Sequence, residues 1–313
     1  MNLMAMLLMV AAPTVASIPE ADAYNALIKQ DLRLAAVGYR LAAANESFCK
    51  RKSRNPGWVL HDEQQYPDRQ IARSVFQFRQ PVSIAALIAG GPADEAGMDK
   101  GDGLISINDK VWVWTKTAQV EASGERLDSV SEQIDKELTT IGAMSVTLET
   151  ALGPRQFKLD PPAICASRFW VDVREKKDAG ADGDKVRITS GMMDYVPDDA
   201  ELAAVVAHEL AHNILGHRAQ ADSVKRSKAG TTLATEIEAD RLSVWLMANA
   251  GYDPAAALGF AARYGKDYGL GIFSDGTHLR WKNRVKVMQA EIELMKQTAQ
   301  VAGKLPPPLL VNK

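Results

Sequence analysis

The chain has little net charge: its 37 Lys and Arg stand against 39 Asp and Glu, a formal −2 at pH 7. Nothing in that balance calls for nucleic acid or an anionic surface as a partner. It has two cysteines, Cys49 and Cys165. In an exported chain they can pair; two separate buried thiols is the other reading, because sequence does not measure their distance. Beyond residue 12 it lacks any apolar run long enough to span a membrane. Before that point it lacks something else. Met1 to Ala12 is almost wholly apolar and runs into Pro13 and the small residues Thr14 to Ser17. This is the pattern of a signal peptide cleaved after Ala16, yet no Lys or Arg precedes it. A misassigned start codon, or a buried N-terminal helix in an intracellular protein, are the competing readings. No Cys stands at the cleavage position, which argues against a lipoprotein. The expectation is a periplasmic or secreted protein, soluble after processing and without a transmembrane anchor.

What is present is an ordinary globular composition, 46% hydrophobic, in 313 residues, enough for two modest domains. After the signal segment, 1–16, residues 17–74 read as an N-terminal helix and connector. Leu27, Leu32, Leu34, Val37 and Leu41 mark an amphipathic helix to about Ala44, and Phe48 to Ala72, broken by Pro56-Gly57 and Pro67, reads as irregular. Residues 75–152 form a β-rich unit. Strands are expected at Val82–Ile84, Leu104–Ile107, Val111–Trp114 and Met144–Leu148, with a helix carrying Leu127, Val130, Ile134 and Leu138. Its run Pro92-Ala93, Ala96-Gly97, Gly101-Asp102 and Ile105 to Asn108 resembles a bacterial PDZ domain. That resemblance implies recognition of extended peptides by strand addition; packing alone is the other reading, and a carboxylate-binding loop would fall near Phe76–Gln80. Pro161-Pro162 opens the last unit, 161–302, in which β segments at Arg168–Val173 and Lys185–Thr189 precede mainly helical sequence. Residues 303–313 read as a Pro-rich tail.

Histidine is scarce, five in all, and three of the five lie at His208, His212 and His217. His208-Glu209-Leu210-Ala211-His212 sits in an apolar helical run. Four residues apart on a helix, both imidazoles can face one zinc ion, with Glu209 placed as general base. A dry setting requires partners for these polar groups, and a metal supplies them. His217, nine positions after His208, falls on the opposite side of a continuous helix and out of register for a third His ligand, so it reads as a neighbour of the site. A carboxylate from a second helix completes a His₂Glu set instead. Glu236 and Asp240 share a face there, one able to bind metal and the other to orient an imidazole; Glu238 points elsewhere.

With Leu202-Ala203, Val205, Ala207-His208-Glu209, His212, His217, Glu236 and Ala239-Asp240, the stretch resembles the gluzincin zinc metallopeptidases of the HtpX, BepA and type I CAAX prenyl protease family (metallopeptidase family forty-eight). Thr277-His278-Leu279 and Arg284 extend the likeness, with Leu279 in place of a Pro. Asp178-Ala179 replaces an Asn-Ala pair, and Val186–Thr189 takes the place of the strand that lines the cleft. The resemblance implies an α+β protein: a mainly helical zincin-type domain preceded by a small PDZ-like domain. It implies one Zn²⁺ per chain on His208, His212 and Glu236, with Asp240 and His217 behind them. It implies an endopeptidase of protein or peptide substrates, membrane-proximal ones included, acting in envelope quality control. Glu209 activates the zinc-bound water, and His278 or Arg284 stabilises the oxyanion. The alternative is an inactive zinc-binding chaperone or adaptor using the PDZ-like unit.

Overall fold

The computed structural model describes residues 18–108, 110–112, 123–223, 228–268 and 281–311. Helix α1 covers Ile18–Ala44, with Leu34, Val37 and Leu41 buried along one stripe at spacings of three and four. A 3₁₀ turn at Glu46–Phe48 leads to β1 (Lys52–Arg54) and β2 (Trp58–Asp62). Next come α2 (Arg69–Phe76), β3 (Val82–Leu87), α3 (Pro92–Glu95), β4 (Gly103–Ile107), β5 (Lys110–Val111), α4 (Glu125–Ile141), β6 (Met144–Thr150) and β7 (Gly153–Leu159). The antiparallel sheet runs β2-β3-β4-β6-β7, with β5 on β4. Its core gathers Val82, Ile84, Leu104, Val146 and Leu148 under Val130, Ile134 and Leu138 of α4.

Two differences from the sequence reading concern this unit. The segment read as irregular contains β1 and β2, and β2 is a full edge strand of the sheet. Its polar end hid it: His61 and Asp62 are buried because each has a partner elsewhere. His61 meets Asp31 of α1 at 3.2 Å, and Asp62 takes both Arg126 and the capping box of the next turn. The other missed strand, β7, buries only Phe157 and Leu159, so its apolar signal is weak. The strand expected at Val111–Trp114 is described only as far as Trp112.

The rest of the chain is β8 (Ala163–Cys165), β9 (Arg168–Asp172), β10 (Ala179–Ala181), β11 (Lys185–Thr189), α5 (Ser190–Tyr195), α6 (Asp199–Leu215), α7 (His217–Ser223), α8 (Lys228–Asn249), α9 (Ala255–Tyr268), α10 (Trp281–Gln297) and α11 (Pro308–Val311). The small sheet is ordered β10-β11-β9. Strand β11, expected to line the cleft, is therefore its middle strand with both edges taken. The outer strand that packs on α6 is β10.

Residues of α1 share one core with α6, α8, α9 and α10. The N-terminal helix is thus part of the helical unit, and the β2–β7 sheet is inserted between α1 and β9. The insertion enters through β1 and leaves through β8, which pair antiparallel. A Cys49–Cys165 disulfide spanning 116 positions closes this neck, with Cα atoms 5.4 Å apart. The Pro-rich end is docked: Leu305 exchanges backbone bonds of 2.8 and 3.0 Å with the Asn249 amide, and Leu305, Leu309 and Leu310 pack on the core. Among the described residues no helix is long and apolar enough to cross a membrane. The signal segment lies outside the described residues.

Candidate metal centre

Helix α6 starts where the Asp198 side chain accepts the Glu201 N–H at 2.9 Å and stops at Gly216, whose φ of 70° is the left-handed conformation that glycine adopts without cost. Between these caps the helix is buried nearly all round, from Leu202 to Ala211. His208, Glu209 and His212 are its polar interruptions, and each must find a partner in a dry interior.

His208 Nε2 and His212 Nε2 converge to 3.3 Å. From α8, Glu236 brings Oε2 to 3.3 Å from His208 Nε2 and Oε1 to 3.4 Å from His212 Nε2. All three ligand atoms lie within 4.8 Å of one another. Ligands about 2.0–2.1 Å from a tetrahedral zinc sit about 3.3–3.4 Å apart, so this donor set fits that ion in type and spacing. The two rings turn their other nitrogens outward. His208 Nδ1 lies 3.1 Å from Asp240 Oδ1, and Asp240 is gripped by Arg284 of α10, Nε to Oδ2 at 2.8 Å and Nη2 to Oδ1 at 2.5 Å. His212 Nδ1 lies 2.9 Å from His217 Nδ1, and His217 Nε2 lies 3.1 Å from Glu238 Oε2.

The electrostatics match a cation. Burial disfavours a charged His208 ring, but hydrogen bonds to Asp240 and Glu236 outweigh it and raise the ring to about 10. Burial pushes Glu236 upward, and the two imidazoles more than reverse this, holding the carboxyl well below the ordinary carboxylate range. Asp240 falls to about 2, burial being overcome by the Arg284 guanidinium. Burial and the neighbouring His212 lower His217 to about 4.

Glu209 stands apart from these pairs. It is 2% exposed, burial raises its carboxyl despite the neighbouring imidazoles, and its Oε1 has no hydrogen-bond partner among the described atoms. A buried carboxylate oxygen left empty beside a ligand cradle is placed to serve a molecule that enters the site.

The residues expected together, His208, His212, Glu236, Glu209, Asp240, His217 and Arg284, do meet. Arg284 is spent on Asp240, with Nη2 also 3.3 Å from His208 Nδ1. His278 lies outside the described residues. Glu238 went unread: one continuous helix would carry His217 away from it. The break at Gly216 redirects the chain, so that α7 opens by setting His217 between His212 and Glu238.

Residues 174–234 match the model for Peptidase family M48. The match spans β10, β11, α5, α6 and α7 and supports a metallopeptidase; Glu236, Asp240, Arg284 and the inserted sheet lie beyond it. No curated protein matches the chain.

Proposed function

We propose that this protein is a zinc-dependent endopeptidase acting on protein chains. The orphaned Glu209 Oε1 beside the His₂Glu cradle carries this reading. His208, His212 and Glu236 would hold the ion, and when bound it supplies Lewis acidity to a peptide carbonyl and makes water nucleophilic near neutral pH. Glu209 takes the proton of the attacking water and delivers it to the departing amine nitrogen. Asp240, held by Arg284, fixes the His208 ring with Nε2 inward; His217, held by Glu238, does the same for His212. Arg284 acts here as a positioning residue, since its Nε and Nη2 are taken by Asp240. The outer backbone of β10 offers a substrate chain an edge to lie against.

Replacing Glu209 by Gln keeps the cradle and removes the base. The E209Q protein is expected to bind zinc as wild type and to lose at least about 10²-fold in peptide hydrolysis. Wild-type cleavage of casein by E209Q, blocked by chelator in both proteins, would sink the assignment.

The inserted sheet is proposed as the PDZ-like unit. The Pro92–Asp102 run supports this, as does α4 standing beside the edge strand β2. An exported, envelope quality-control setting is supported by the Cys49–Cys165 pairing, which persists in oxidising compartments. Mass spectrometry of the mature N-terminus tests it: a chain beginning at Ser17 is expected, and an intact Met1 counts against export.

A further inference from the structure

A cavity of about 660 Å³ lies where the inserted sheet meets the helical unit, walled by α1, β2, α4 and β9. Two of these walls are sheet margins. Strand β2 is the outer strand of the large sheet and β9 the outer strand of the small one. Among the described residues, no strand pairs with the open side of either. The Arg168 N–H is bonded on the β11 side, to Asp184 at 2.9 Å, so alternation turns the backbone of residues 169, 171 and 173 toward the open side. There the Val171 N–H meets Asp31 at 3.4 Å. Trp170 and Val173 line the cavity while 42% and 69% exposed. Arg168, also in the lining, has a buried Nη1 without a hydrogen-bond partner among the described atoms.

The cavity is braced rather than slack. Asp31 links the β9 margin to His61 of β2, and the Tyr66 hydroxyl closes on the other nitrogen of that ring. Across the opposite side Lys185 meets Asp128 of α4 at 2.9 Å, and Arg168 lies 3.6 Å from Asp135. The disulfide-closed neck holds the two units at their root.

We propose that this cavity binds an extended polypeptide segment, laid as an added strand along the outer edge of β2 and enclosed between α4 and β9, so that the site is shared by the two units. Open strand edges present rows of N–H and C=O groups that another extended backbone completes. Leu60, Leu127 and Phe169 in the lining offer apolar surface to its side chains, and Arg168 Nη1 offers a donor to a carbonyl or carboxylate. At about 3.3 Å per residue the five residues of β2 accommodate roughly five residues of ligand. The proposal rests on the peptidase reading only for the reason a polypeptide is held there; binding is separable from cleavage.

The test uses the full chain carrying E209Q, so that bound polypeptide is not cut, titrated with fluorescein-labelled casein as an unfolded probe. S131W fills the α4 wall, and W170A trims the β9 wall at an exposed position; thermal melting by circular dichroism checks that both fold. Binding is expected to weaken about tenfold with S131W and severalfold with W170A. A photo-crosslinker at position 131 is expected to capture casein, and one at Leu152, fully exposed in the β6–β7 turn, is not. Unchanged affinity in both variants, or equal capture at 131 and 152, overturns the proposal. Weakening by S131W with W170A unaffected overturns the shared site and leaves one confined to the sheet unit. Hydrolysis of a short peptide by the Glu209 protein is scored separately, so failure of the peptidase reading leaves the binding result interpretable.

Discussion

Asp240 touches no ligand position, yet it decides how His208 is turned. Its two oxygens divide between the Arg284 fork and His208 Nδ1, so Nε2 has one inward direction left. Partners of this kind are worth about 10–100-fold in metal affinity. D240N is expected to lose that much zinc affinity in competition with a chelating dye. E238Q, altering a carboxylate that acts through His217 and is one-third exposed, should lose less; a larger loss in E238Q than in D240N would reverse the ranking. Asp135 offers a pH effect away from the centre. Burial raises its carboxyl to about 6, with Arg168 pulling it back in part. The folded state thus binds that proton more tightly than the unfolded chain. The stability it contributes is fullest below the ordinary Asp value of about 4 and is lost as pH rises through about 6. The side chain is 40% exposed, so solvent screens the effect and a fraction of one proton is expected. Urea unfolding from pH 4 to 7 should show D135N gaining on wild type as pH rises; parallel curves would exclude this. At this scale the sequence was most legible, since H-E-x-x-H and the Glu236/Asp240 pair need only helical spacing. Glu238 was not, because its partner is delivered by a chain break.

At the scale of elements, α6 could be read because its apolar run, its acidic N-cap and its terminal Gly216 agree on one helix. Strand β2 could not, because its buried His61 and Asp62 resemble loop residues until Asp31, Tyr66 and Arg126 are brought to them. The packing of α1 on β9 depends on Gly38. A Cβ there would stand 2.5 Å from the Phe169 ring. Alanine improves helix propensity by about 1 kcal/mol, whereas forcing a methyl into a filled contact costs typically ~1–3 kcal/mol. The steric loss is the larger, because Phe169 is itself packed against the core. G38A is expected to lower the melting temperature; an increase would mean that the ring has room to move.

For the whole molecule, the neck matters most. The disulfide encloses the entire inserted sheet in a loop of 116 positions, where chain-entropy arguments allow about 4–5 kcal/mol and measured values are typically about 2–4 kcal/mol. C49S/C165S should lose stability in that range by urea unfolding, and the same protein with intact cysteines should lose it on adding reductant. Reductant-insensitive unfolding of the wild-type chain would show that the bond does not form. By itself the sequence determined the zinc-binding helix, its base and the order of helices and strands, all set by local periodicity and capping. It placed the sheet as a separate domain after an N-terminal connector and could not pair the cysteines. Tertiary structure decided that α1 belongs to the helical core, that the sheet is an insertion through a two-stranded neck, and that β10 rather than β11 is the outer strand beside α6. It also decided that Arg284 serves Asp240. Each of these depends on contacts between residues far apart in the chain, which only packing of the assembled units selects.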